Sequence, residues 1–305
     1  MDGHTRKLVW MDRKIHRLAR RFLLIARLKK PSKVMSEETK PQPFVKWVGG
    51  KRSLLAEIHK YLPQKFNNYF EPLAGGGALF FSLYKRSQRS TLVDTNLELV
   101  ITYRAIQKDP EKLIEKLKEH ASKHSEEYYY ETRKREPKNP IDIAARFLYL
   151  NKTCFNGLYR VNQSGKFNAP IGDYTNPNII QEDNIFACHA ALKHTSILLG
   201  DFTVIKPEKG DFVYFDPPYH PTSEDSFTAY TKENFTEKDQ VRLRDSIVQL
   251  HKQGVFIMLS NSKTKLIEDI YRAKYFKKHI VRAPRFVNCK PEDRGKVEEY
   301  LITNY

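Results

Sequence analysis

The sequence is poor in cysteine. Only Cys154, Cys188 and Cys289 occur in 305 residues, far apart and with no C-x-x-C spacing. That excludes a disulfide framework and a cysteine-based zinc site, and it points to a reducing cytoplasm. No apolar run approaches the roughly 20 residues that a membrane helix needs. Internal repeats and low-complexity tracts are absent too, which excludes a solenoid or a linker-like chain. The phosphate fingerprint G-x-G-x-x-G is missing, and Gly50-Lys51 is followed by Arg52 rather than the Ser or Thr of a Walker loop. Acidic residues are also short: 36 Asp and Glu against 53 Lys and Arg leave a net charge of +17, a field that attracts polyanions such as nucleic acid.

The charge is uneven. Residues 1–34 hold eleven Lys and Arg against two Asp, a net of +9, so the remainder carries +8 and stays basic on its own. Arg13 to Lys30 reads as a basic amphipathic stretch whose apolar run is too short and broken for a secretory signal. It could touch DNA phosphates, act as a targeting segment, or be an extension upstream of a natural start at Met35. The last is preferred, because globular patterning begins only at Pro43. Residues 1–42 are therefore expected to form a basic N-terminal extension, disordered or not native.

From Pro43 the pattern is mixed. Tyr69–Glu71 and Thr91–Asp94 read as strand ends. Phe212–Asp216 and Val255–Ser260 are near-continuous apolar runs, as expected of strands buried on both faces. Lys277–Val281 and Glu299–Thr303 read as later strands. Helical patterns lie at Ser53–Tyr61, Ala78–Lys85, Glu98–Gln107, Pro110–His120 and Glu237–Gln253. Strands alternating with helices predict an α/β fold with a doubly wound sheet. The stretch from Asn96 to Leu198 shows helical patterns and no convincing buried strand, and reads as a mostly helical insertion.

Four segments carry chemistry. Asp216-Pro217-Pro218-Tyr219 follows an apolar strand, and a carboxylate at the carboxyl end of such a strand sits where α/β sheets bind ligands. Two prolines fix the backbone and remove two N–H donors, leaving carbonyls free to accept. With the Asp216 carboxylate and a flat Tyr219 ring, this set suits an exocyclic amine on an aromatic base. Two acceptors on the two amine hydrogens pull the nitrogen toward a pyramidal, nucleophilic geometry, which is orientation plus electrostatics rather than covalent catalysis. An ordinary strand-to-turn junction is the competing reading. Glu71-Pro72-Leu73-Ala74-Gly75-Gly76-Gly77 places glycines between a strand and a helix, where backbone can approach a ligand closely. Asp94, at the end of the next strand, could accept ribose hydroxyls or cap a helix. Lys46-Trp47-Val48-Gly49-Gly50-Lys51 offers a ring and an ammonium and is ambiguous alone. Asn156-Gly157-Leu158-Tyr159-Arg160-Val161-Asn162, continuing through Gly165 to Pro170, interleaves Arg160 and Lys166 with aromatic rings; it could read base edges or be a solvated loop.

Taken together and in this order, the segments KWVGGKR, FEPLAGGGALFF, VDTN, NGLYRVN, GDF (Gly200–Phe202), VYFDPPY and MLSNS (Met258–Ser262) resemble the Dam-type DNA adenine N6-methyltransferases, with the GATC-modifying enzymes of restriction systems nearest. Arg294-Gly295-Lys296 and the closing Leu301–Tyr305 fit as well, so the likeness covers Pro43 to Tyr305. It implies a Rossmann-like methyltransferase sheet formed by residues 43–95 and 199–305, with residues 96–198 as an inserted, mostly helical target-recognition domain. It implies S-adenosylmethionine as methyl donor, contacted by Trp47, Lys51, Glu71, Gly75, Gly77, Asp94, Phe202 and Asp216. It makes Asp216 and the Pro217 carbonyl the holders of the target amine and Tyr219 the stacking ring on a flipped base. Phe155, Asn156, Leu158, Arg160, Pro170 and Tyr174 become the contacts to double-stranded DNA. No metal is expected. A cytoplasmic, nucleoid-associated monomer is expected, with a restriction endonuclease as possible genetic partner.

Two departures stand against the family pattern: the N-terminal extension, and Arg285–Asp293, where a Gly- and Ser-containing loop is usual. Three rivals are set aside on residues. Asp216 stands where RNA- or glutamine-directed enzymes carry Asn and cytosine-N4 enzymes often carry Ser. The intact Asp216–Tyr219 set argues against an inactive DNA-binding relative. The missing phosphate fingerprint argues against an oxidoreductase.

Overall fold

The computed structural model describes residues 39–222, 235–284 and 296–305. The expected N-terminal extension, up to residue 38, and the departure at 285–293 lie outside the described residues. Lys40–Tyr305 forms one compact unit.

Seven strands make one sheet: β1 (Tyr69–Glu71), β2 (Ser90–Asp94), β3 (Thr195–Leu199), β4 (Phe212–Phe215), β5 (Phe256–Ser262), β6 (Lys277–Pro284) and β7 (Lys296–Thr303), in the order β3-β2-β1-β4-β5-β7-β6. The first five run parallel, and β7 is antiparallel to both its neighbours. Chain order reverses between β1 and β4, which are direct neighbours; in parallel sheets a crevice opens at such a point, beyond the carboxyl ends of the strands.

Alternation along the strands sorts the core into two layers. Tyr69, Leu92, Phe212, Tyr214, Met258 and Leu301 belong to one apolar cluster with α1 (Leu55–His59), α2 (Ala78–Leu83) and α3 (Leu97–Lys108). Val93, Val213, Phe215, Ile257, Leu259 and Ile302 belong to the other, with α8 (Glu237–Lys252) and α9 (Lys265–Ile270). Both faces are covered, which explains the continuous apolar runs of β4 and β5.

The stretch expected as a helical insertion, Asn96–Leu198, holds α3 and then α4 (Pro110–Ser122), α5 (Glu126–Lys134), α6 (Pro140–Thr153) and α7 (Glu182–Leu192). Its boundaries follow local chemistry. Asn96, Asp109, Ser125 and Asn139 each accept an N–H at the start of α3, α4, α5 and α6, and Pro110 and Pro140 open their helices. Helix α6 is buried along its length from Ala144 and leads straight into the Phe155–Asn162 segment.

One expectation is corrected. Asn96–Leu198 was read as holding no convincing buried strand, yet β3 begins at Thr195 and pairs with β2 over five residues. It is an edge strand, with Ser196, Leu198 and Leu199 exposed, so it lacks the apolar run that marks a central strand. Among the described residues no helix is long and apolar enough to cross a membrane.

Candidate active site

The site gathers at the carboxyl ends of β1, β2 and β4. Asp216 follows β4 directly, and its Oδ1 faces the Lys51 ammonium at 2.8 Å in an ion pair, with no other hydrogen-bonding partner among the described residues. Lys51 comes from the 3₁₀ turn Lys51–Leu54, and its Nζ also lies 4.8 Å from the centre of the Tyr219 ring. The Tyr219 hydroxyl donates to Glu299 Oε2 on β7 at 2.8 Å. Pro217 is buried and Tyr219 partly so; among the described residues no hydrogen bond ends on the Pro217 carbonyl. Lys51, from one predicted segment, thus meets both Asp216 and Tyr219 of another.

Burial raises the Asp216 carboxyl above its ordinary range, and Lys51 opposes that rise. Burial likewise raises Glu299, against Lys51 and the Tyr219 hydrogen bond. Glu71, at the end of β1, is fully enclosed and accepts from the Tyr69 hydroxyl (2.8 Å) and the Phe80 amide (3.0 Å). Burial pushes it up to about 8 even so, with the Asp216 charge adding to the rise.

The glycine loop stands beside this group. Gly75 and Gly77 have φ of +48° and +64°, values that favour glycine. A Cβ on Gly75 would sit 2.7 Å from Trp47 Cδ1, and one on Gly77 2.6 Å from the Tyr103 hydroxyl. The loop is therefore closed around protein side chains, with Tyr103 donating to the Gly75 carbonyl at 2.9 Å. Gly75 N–H donates to Asp94 Oδ2 (2.9 Å), and Asn96 N–H to Asp94 Oδ1 (2.8 Å). Asp94 is not the cap of α3; Asn96 is, accepting from Leu99. Asp94 stays half exposed at the strand end. Phe202 is buried under the Arg242 guanidinium, 4.3 Å from its ring, and Arg242 is held by both Asp201 oxygens. It lies in the apolar cluster of Val93 and Phe215, beneath β2 and β4.

Five of the six expected DNA contacts share one structure, and Tyr174 follows just after it. Phe155 N–H donates to the Pro170 carbonyl, Asn168 N–H to the Arg160 carbonyl, and Val161 bridges Phe167, so residues 154–171 form an irregular hairpin turned at Asn162–Lys166. Phe155 is 53% exposed at its rim, unusual for so large an apolar ring. Asn156 takes φ +53°, and Leu158 is partly buried. Arg160 is exposed and donates to the Asn168 side chain at 2.9 Å. Tyr174 accepts from Lys46 Nζ at 3.0 Å. The hairpin touches the Lys46–Lys51 segment: Trp47 stacks on Tyr159 at 5.5 Å, and Asn151 accepts from Lys46 N–H and donates to its carbonyl.

Three contributors went unrecognised in the sequence. Glu299 follows another glutamate, Glu298, in a strand near the end of the chain and gives no local signal. Tyr103 is one aromatic among many on a helix. Gln240, buried in the first turn of α8, looks like a surface helix residue. Among the described residues no group of three or more His, Cys, Asp or Glu is placed to hold a metal ion.

The ligand implied by the resemblance carries a carboxylate and vicinal hydroxyls. The residues present fit it: Lys51 supplies a buried cation, Asp94 a half-exposed anchored carboxylate, and Trp47 a partly exposed ring beside the glycine loop.

Known proteins agree in kind. A family model described as D12 class N6 adenine-specific DNA methyltransferase matches residues 47–285. The chain is 46% identical over 275 residues to the type II methyltransferase M1.LlaDCHI of Lactococcus lactis subsp. cremoris, covering 87% of this chain and 95% of that relative. It is 40% identical over 288 residues to the type II methyltransferase M.MjaIII of Methanocaldococcus jannaschii, covering 87% and 99%. A DNA adenine methylase of Haemophilus influenzae is 32% identical over 276 residues, covering 88% and 95%. The chain belongs to the D12 class of N6 adenine-specific DNA methyltransferases, which methylate adenine in DNA with S-adenosylmethionine as donor.

Proposed function

We propose that the protein methylates N6 of adenine within GATC in duplex DNA, by flipping the base and transferring the methyl group directly in line. The observation that carries the reading is the buried Asp216 Oδ1, which among the described residues pairs only with Lys51, next to the Pro217 carbonyl that no described group claims at the end of β4. Bound S-adenosylmethionine supplies an electrophilic methyl group on its sulfonium. Lys51 would take its carboxylate, Asp94 its ribose hydroxyls and Phe202 its adenine, with Trp47, Glu71, Gly75 and Gly77 around the methionine part. The chain's own work is orientation: the Asp216 carboxylate and the Pro217 carbonyl accept the two N6 hydrogens, and Tyr219 stacks on the extruded ring. In this reading Asp216 acts ionised, a state that Lys51 supports against burial.

The parallel strand order with its reversal between β1 and β4 supports a doubly wound, Rossmann-like catalytic domain, with functional residues beyond the strand ends. Residues 96–198, with α3 to α7 and the hairpin, would be the target-recognition domain. Arg160 would aim its fork at a guanine edge, Phe155 would enter the stack, and Asn156, Leu158, Pro170 and Tyr174 would shape the fit. GATC rests on the likeness of the NGLYR segment. The type II names of two relatives support a cognate restriction endonuclease as genetic partner. A monomer in the cytoplasm, acting at the nucleoid, completes the proposal.

The test uses genomic DNA from cells lacking other adenine methylation, before and after expression of this chain. Nucleases that distinguish methylated from unmethylated GATC, together with sequencing for N6-methyladenine, should find the mark confined to GATC. Methylated adenine elsewhere would overturn the recognition reading. None at all, from soluble protein, would overturn duplex adenine as substrate.

A further inference from the structure

The two prolines of the catalytic turn create a mechanical problem. Pro217 and Pro218 have no N–H, so the turn can be held only by its carbonyls or by the amides of Tyr219 and His220. A turn meant to present one proline carbonyl to substrate must be gripped elsewhere.

Two fully buried carboxamides provide the grip. Asn261, at 0% exposure on β5, accepts from His220 N–H (3.1 Å) and from Ser262 N–H (2.8 Å) through Oδ1. Its Nδ2 therefore points the other way and donates to Gln240 Oε1 at 3.0 Å. That occupies the Gln240 oxygen and directs Nε2 at the Pro218 carbonyl, 2.9 Å away. The Ser262 hydroxyl closes the set by donating to the His220 carbonyl at 2.6 Å. The amide orientations are thus fixed in sequence by one residue that faces two donors. Helix α8 delivers Gln240 reliably, because the Thr236–Asp239 capping box sets its first turn.

We propose that Gln240 and Asn261 are positioning residues for methyl transfer: by holding the Pro218 carbonyl and the His220 amide, they leave the Pro217 carbonyl as the one presented to the amine. The inference rests on the assignment of Asp216–Tyr219 as the catalytic turn. Pro218 is exposed, so its carbonyl could satisfy itself with water. What Gln240 adds is direction. Its loss should show in the transfer step more than in binding.

The experiment measures single-turnover methyl transfer on a GATC duplex with the full chain, alongside affinities for S-adenosylmethionine and DNA. Gln240→Met should slow transfer by about tenfold or more while both affinities change by less than about threefold. Gln240→Glu separates direction from mere structure. Protonated, the introduced carboxyl can donate to the Pro218 carbonyl; ionised, it cannot. The ratio of its transfer rate to that of the unaltered enzyme should therefore be near one at low pH and fall as pH rises through the buried group's raised pKa. His220, Glu237, Asp239, Asp216, Lys51 and Glu299 are common to both proteins and enter that ratio only through coupling to the introduced charge. A pH-independent ratio, whether near one or uniformly low, overturns the proposal, and so does a loss confined to the affinities. If Gln240→Met does not fold, the Gln240→Glu ratio decides alone. Asp216→Ala run in parallel keeps the two readings apart: retained transfer there would sink the catalytic turn itself, whereas its loss beside a flat Gln240→Glu ratio would sink only the relay.

Discussion

Lys51→Met is the perturbation whose consequence can be worked furthest. Lys51 meets Asp216 at 2.8 Å, with side chains only 7% and 19% exposed, and acts through space on Glu71 and Glu299. At an effective dielectric of about 20, a pair at that distance attracts by about 6 kcal/mol before desolvation. Breaking such a pair from one side typically costs about 3–5 kcal/mol. Asp216 has an escape, however, since it can take a proton. Its folded pKa is already raised by burial. A raised carboxyl favours folding below its ordinary value, and that favour is lost as pH climbs through the folded value. Removing Lys51 raises the folded value further, so the deficit of the variant grows with pH. The pH-dependent part of the deficit opens only above the already raised folded value of the unaltered protein, and it grows by at most about 1.4 kcal/mol per pH unit until the variant's own carboxyl ionises. Urea unfolding of both proteins at several pH values reads this directly. The acid limb of methyl transfer should move to higher pH in the same variant, because Asp216 must be ionised to accept. A deficit equal at both ends of the range, or one that shrinks toward high pH, would refute the claim that Lys51 keeps Asp216 charged.

Other outcomes are expected. Asp216→Ala should abolish transfer while leaving much of the DNA binding, as measured by filter binding and labelled methyl uptake; sustained turnover would remove it from the chemistry. Gly75→Ala combines a left-handed backbone with a Cβ pressed on Trp47; about 2–4 kcal/mol of stability should be lost in thermal unfolding, and an unchanged melting temperature would contradict the packing described. Tyr219→Ala should weaken capture of the target base by about 1–3 kcal/mol, whereas Tyr219→Phe keeps the ring and should retain most of it; equal losses would mean that the bond to Glu299 matters more than stacking. Arg160→Ala should relax sequence choice at one position by about 1–3 kcal/mol, read by sequencing methylated sites; an unaltered target preference would reassign that arginine to the hairpin, where it already bonds Asn168.

Much of this was legible in the chain. The apolar runs at Phe212–Asp216 and Val255–Ser260 announce buried strands because only a two-faced environment tolerates them, and Asp216-Pro217-Pro218-Tyr219 carries the proposed chemistry through residue types at fixed spacing. The helical patterns at Glu98–Gln107 and Pro110–His120 marked the first two helices of the insertion. What sequence could not deliver were features whose meaning is relational. Edge strand β3 carries three of its five residues to solvent, so no local pattern distinguishes it from loop. Glu299 lies 80 residues beyond Tyr219 and Gln240 lies 22 beyond Pro218; each is an unremarkable polar residue until the sheet brings it to the turn. The glycine loop reads as a ligand cradle in one dimension, but in three it is tight because Trp47 and Tyr103 press against it. Residue type decided which chemistry was available, and packing decided which groups met, because contact and desolvation depend on distance in space and not along the chain.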